Sequence, residues 1–117
     1  VNPEMIELAK RVVACKGWRW MPGMRWLSDE DHGRLDDFQP EYMGRPTHAL
    51  PDLSDPATLG CLLALLREAW GMPTGITVGY SDDEALWGVS WSGATHGGWC
   101  GRGKTEAEAL VVALEGA

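Results

Sequence analysis

The sequence predicts an α+β domain: an antiparallel sheet with three helices, arranged as a three-layer α/β/α sandwich. Three observations carry this. Helical spacing of apolar residues, bounded by capping residues, recurs at the start, middle and end of the chain. Short apolar runs separated by turn residues cluster between the second and third helices. No alternation of single strands with single helices supports a parallel sheet.

Asn2 is a capping residue and Pro3 suits the first helical position, so a helix starts there. Met5, Ile6, Ala9, Val12 and Val13 form its apolar stripe, and Gly17 is expected to stop it in the left-handed conformation. Trp18 to Leu27 reads as a hairpin about a type II turn at Pro22-Gly23. With a two-residue loop, Trp20 faces Arg25 and Arg19 faces Trp26, giving each side a cation–π pair of about 0.5–1 kcal/mol. A longer, looser loop is the other option, because type II turns match strand twist less well than the primed types.

Residues 28–48 are polar and acidic without sustained periodicity, and read as a loop or excursion. The second helix has Asp55 as cap, Pro56 as first residue, and Gly71 before Pro73 as its stop. Leu59, Leu62, Leu63, Leu65, Leu66, Ala69 and Trp70 make it apolar around most of its circumference, which predicts burial on more than one side. Gly60 within it costs about 1 kcal/mol relative to Ala, and close approach by another backbone would account for it. Ile76–Tyr80 and Leu86–Trp91 read as strands joined by the turn Ser81–Glu84, and Trp99-Cys100 begins a third after a turn at Ser92–Gly98. Thr105 and Glu108 form a capping box for the last helix, whose stripe is Ala107, Leu110, Val111 and Leu114.

At 117 residues the chain is a single domain able to build a core without disulfides or metals. Its charge of −7 is uneven: +3 over residues 1–27, −6 over 28–55 and −4 over 56–117. An acidic chain argues against direct nucleic-acid binding, which needs a basic face, and the acidic middle is either a solvated loop or a surface for a basic partner. Cys15, Cys61 and Cys100 lack Cys-x-x-Cys spacing and read as free, buried thiols in a reducing cytosol. His32, His48 and His96 are scattered, and in Asp29-x-Asp31-x-Gly33 a glycine stands where a calcium loop needs an oxygen ligand, so no metal is expected. No apolar run approaches the ~20 residues of a membrane span, and the first helix is no signal-peptide core. Val1 at the start implies that an initiator methionine or short leader precedes it.

Gly98-Trp99-Cys100-Gly101-Arg102-Gly103-Lys104-Thr105 fits the Gly-x4-Gly-Lys-Ser/Thr pattern of a phosphate-binding loop. That chemistry also needs an acidic residue at the end of another buried strand to complete a magnesium site, and only Ile76–Asp82 ends in acidic residues. The competing reading makes the same residues a glycine-rich strand end and a helix cap. No cofactor is expected on that second reading.

Seven tryptophans exceed the needs of so small a core. Either they fill its layers, or some form a binding surface, for which Trp18, Trp20 and Arg25 in the hairpin and Trp91, Trp99, Arg102 and Lys104 near the C-terminus are the candidates. No nucleophile–base arrangement or catalytic carboxylate pair stands out, so an enzyme is not expected.

Four segments in this order resemble the phage α/β/α-sandwich (phage ABA sandwich) family of small phage and prophage proteins. They are the first helix through Gly17-Trp18-Arg19-Trp20, Leu50–Asp55, Trp87-Gly88-Val89-Ser90, and Thr105–Leu110, spanning about two thirds of the chain. The resemblance implies a three-layer fold in the host cytoplasm and no catalytic residues. The resulting expectation is a non-enzymatic phage or prophage accessory protein that binds another protein, with a homodimer as an option. An anti-defence role is the alternative, as an acidic inhibitor of a host immune complex such as CRISPR or a tryptophan-lined trap for a signalling nucleotide.

Overall fold

A computed structural model describes residues 3–27, 50–72, 74–92 and 97–117. The acidic excursion, the three histidines and the Asp29–Gly33 stretch lie outside the described residues. In chain order the elements are α1 (Pro3–Val13), α2 (Pro56–Ala69), β1 (Ile76–Ser81), β2 (Leu86–Ser92), β3 (Gly97–Gly103) and α3 (Glu106–Glu115). The fold is α+β, with an antiparallel sheet in the order β1-β2-β3.

Local chemistry fixes the helix ends. The Asp55 carboxylate accepts from Thr58 N–H (3.0 Å), and Pro56 opens α2. At its other end Met72 N–H donates to Arg67 O (2.8 Å) and Gly71 N–H to Glu68 O (3.1 Å), with Gly71 at φ +67°, a Schellman motif. Thr105 Oγ1 accepts from Glu108 N–H (3.1 Å), while the Glu108 carboxylate reaches the Lys104 N–H (3.3 Å) one residue before the expected one. Gly17 is not in the left-handed region, contrary to expectation. Its role is spatial: a Cβ there would stand 3.0 Å from Leu114 and 3.1 Å from Ala69.

Strand parity gives the sheet two unlike faces. Ile76, Val78, Tyr80, Trp87, Val89 and Trp91 share the inner one, joined by Gly101 and Gly103. There α3 sits almost on the backbone: a Cβ at Gly101 would lie 2.6 Å from Ala113 N and 2.7 Å from Ala109 O. Buried Ala107, Ala109 and Ala113 give α3 the slim face this needs. α1 touches α3 and no strand, while α2 flanks α3 and reaches β1. α3 thus packs on the inner face of the sheet with α1 and α2 against it, an α+β arrangement compatible with a small sandwich. Leu8, Val12, Leu62, Leu66, Ile76 and Leu110 form the centre of the single core. Its margin is tied by Arg11 to Glu115 (2.6 and 3.0 Å) and by Trp70 Nε1–H to Ala113 O (3.0 Å).

Two further expectations are corrected. The Trp18–Leu27 hairpin does not form, although its turn does: Met24 N–H donates to Met21 O (3.1 Å), with Gly23 at φ +98°. The arm beyond the turn is captured elsewhere. Met24 is fully buried, Arg25 N–H donates to Thr58 Oγ1 (2.9 Å), and Trp26 bridges Pro51. The flanking bonds are Leu27 N–H to Leu50 O and Asp52 N–H to Arg25 O, each 2.7 Å. Long-range burial thus outcompetes a local pairing whose turn has the wrong twist. Gly60 is exposed, and a Cβ there would meet nothing within 4 Å, so no backbone approaches it.

The candidate binding face

The outer face of the sheet carries Thr77, Gly79 and Ser81 from β1, Gly88 and Ser90 from β2, and Trp99 and Arg102 from β3. Three positions apart in a regular strand, Trp99 and Arg102 would point to opposite faces. A β-bulge changes this: Trp99 pairs with Ser90 and Gly101 with Val89, leaving Cys100 as the extra residue. Trp99 and Arg102 consequently share the outer face, with the guanidinium carbon 4.5 Å from the indole centroid. Glu84 holds that guanidinium from the β1–β2 turn (2.7 Å).

Trp99 is 51% exposed, yet it is seated. Its six-membered ring occupies the space a side chain at position 88 would need, so Gly88 is its floor. Across the sheet Gly88 pairs with Gly79, over which nothing lies within 4 Å of a would-be Cβ. A groove of about 180 Å³ runs here along the β1 side of the indole, lined by Thr77, Gly79, Ser81, Ser90 and Trp99. The Thr77 and Ser90 hydroxyls are 3.3 Å apart at its edge. Arg102 is the single charge on the outer-face strand positions, and Glu84 neutralises it.

The other sequence candidates do not join this site. Trp91 lies on the inner face, half-buried against the core, so it points away from Trp99. Lys104 is exposed beyond the end of β3. Trp18 packs on the core and meets Trp20 edge to face at 5.5 Å. Arg25 is engaged through its backbone as part of the Thr58–Asp55 relay, and Arg19 pairs with Glu68 (2.7 Å) instead of stacking on Trp26. The tryptophans therefore form no common pocket.

Gly98 to Gly103 lie within β3, and Thr105 is the helix cap, so this segment is a paired strand and not a loop around a phosphate. No disulfide joins the thiols, which are half-buried and so less enclosed than expected. Burial pushes Cys15 and Cys100 up from the usual thiol value, which favours the less nucleophilic protonated form. Among the described residues no three His, Cys, Asp or Glu side chains gather as a metal site, and no helix is long and apolar enough to cross a membrane. A wider groove of about 630 Å³ between α1 and the start of α3 is lined by Glu4, Glu7, Arg11, Lys104 and Glu108, and holds no aromatic anchor.

Sequence reasoning found Trp99 and Arg102 but missed Glu84, Gly79 and Gly88, which shape their surroundings. The signal was the register: Gly79 and Gly88 become directly opposed once the turn is placed at residues 82–85, one residue later than expected, with Ser81 facing Leu86. No family model, curated protein or solved structure matches the chain.

Proposed function

We propose that this chain is a non-enzymatic binding module of the phage or prophage accessory kind, which engages another protein in the bacterial cytoplasm through its outer sheet face. The observation that carries this reading is Trp99, half exposed but held in place by Gly88 beneath it and Arg102 beside it. A large ring already fixed loses little conformational freedom on binding, and Trp and Arg dominate the energetics of protein interfaces. The groove, Thr77 and Ser90 supply polar complementarity around that anchor. The chain's −7 charge favours a partner with a basic rim.

A photo-cross-linking residue placed at Thr77 tests it in the bacterial host. The expected result is one covalent partner other than a second copy of the chain, identified by mass spectrometry and lost in a Trp99→Ala background whose melting temperature is unchanged. Undiminished cross-linking to that other protein in Trp99→Ala would overturn the assignment, whereas a self-adduct bears only on self-association of the chain.

A further inference from the structure

The outer edge of β1 has features that suit a second copy of the same strand. Ser92 N–H donates to Gly75 O (3.0 Å), which sets the hydrogen-bonding parity of the β1–β2 ladder. Thr77, Gly79 and Ser81 thereby bond to β2, while the backbone groups of Ile76, Val78 and Tyr80 point away from it. No described strand lies beyond β1. The Ile-Thr-Val-Gly-Tyr-Ser edge has no charge and no proline, and its pairing with β2 runs without a bulge. Those are the devices by which sheet edges usually repel pairing. At the Ile76 end, the Arg67 guanidinium occupies the carbonyl (3.1 and 3.3 Å).

We propose that β1 pairs antiparallel with β1 of a second copy about a two-fold axis at Gly79, joining two sheets into one of six strands. In this register Val78 and Tyr80 of one copy exchange backbone hydrogen bonds with Tyr80 and Val78 of the other, and the Ile76 carbonyls stay with Arg67. Gly79 then faces its own equivalent as a non-hydrogen-bonded pair, the closest approach in an antiparallel ladder, where two glycines leave room. On the inner face the exposed Tyr80 gains Val78 of the second copy, an aromatic–β-branched pair that favours strand association. The strand is its own complement, as an isologous interface requires. On the outer face the two Trp99 grooves meet across the axis. This inference stands apart from the protein-partner assignment, which the Trp99→Ala cross-linking experiment tests separately.

Sedimentation velocity of the purified chain over a wide concentration range tests it. Wild type is expected to sediment at twice the monomer mass. Val78→Pro removes an N–H that faces away from β2, so it is expected to give monomer at every concentration with an unchanged far-ultraviolet circular dichroism spectrum. Gly79→Cys should form a disulfide-linked dimer under mild oxidation that the wild-type thiols do not form, and it decides the matter if Val78→Pro fails to fold. A wild type that stays monomeric, a dimer that survives Val78→Pro, or a Gly79→Cys chain that does not cross-link would overturn the proposal.

Discussion

Arg102 reaches the Trp99 ring, at 4.5 Å, because one residue between them is left out of the ladder. The stack in turn depends on Glu84, which approaches from a different turn. Arg102→Ala and Glu84→Ala should therefore both shift the Trp99 indole resonance in a ¹H–¹⁵N spectrum, since Glu84 acts through Arg102. Each should cost less than about 1 kcal/mol, because both partners are well exposed. An indole unmoved by Glu84→Ala would show that the ion pair does not steady the stack.

Two glycines should respond in opposite senses to alanine. Gly60 is an exposed helical residue with open space around it, so Gly60→Ala should stabilise the fold by about 0.5–1 kcal/mol. Gly101→Ala would drive a methyl into the backbone of α3 and should cost about 1–3 kcal/mol. Urea midpoints of the two variants against wild type give both signs in one experiment.

The junction between β3 and α3 separates cap from charge. Thr105→Ala removes the acceptor for Glu108 N–H and should cost about 0.5–2 kcal/mol. Lys104→Ala should change stability by less than about 0.5 kcal/mol, because its side chain is exposed and its contribution to the cap is a backbone N–H. Thermal melts distinguish them. A Lys104→Ala chain that kept its melting temperature but lost function would revive a phosphate-binding role for this segment.

Arg11 beside Glu115 holds that carboxyl below its ordinary value of 4.5. A lowered folded-state pKa stabilises the fold fully above the ordinary value, and this is lost as pH falls through the lowered one. The difference in urea midpoint between wild type and Glu115→Gln should therefore be present at neutral pH and close under acid. Its size should stay under about 1 kcal/mol, since both side chains remain substantially exposed.

Much of the fold was legible because its signals are local. Asp55-Pro56, Gly71 and Thr105 each determine a helix end through bonds within a turn or so of themselves. The Trp18–Leu27 segment was misread because its fate is decided at Thr58, more than thirty residues away, where a buried hydroxyl takes the Arg25 N–H. The binding face was half legible for a related reason. Exposed Trp99 and Arg102 could be named from composition, but their sharing a face depends on a one-residue slip against β2. Gly60 shows the reverse error, an oddity given a packing reason where the surroundings supply none.

The bonds joining Leu27 to Leu50 and Asp52 to Arg25 have a practical consequence. They bring together the two points at which residues 28–49 leave and rejoin the domain, and the relay from Arg25 through Thr58 to Asp55 fastens that clasp to α2. The clasp and the start of α2 should therefore open as one unit. Thr58→Val is expected to expose the Arg25, Leu27 and Asp52 amides to hydrogen exchange together, and retained protection of Leu27 and Asp52 would show that the two act separately.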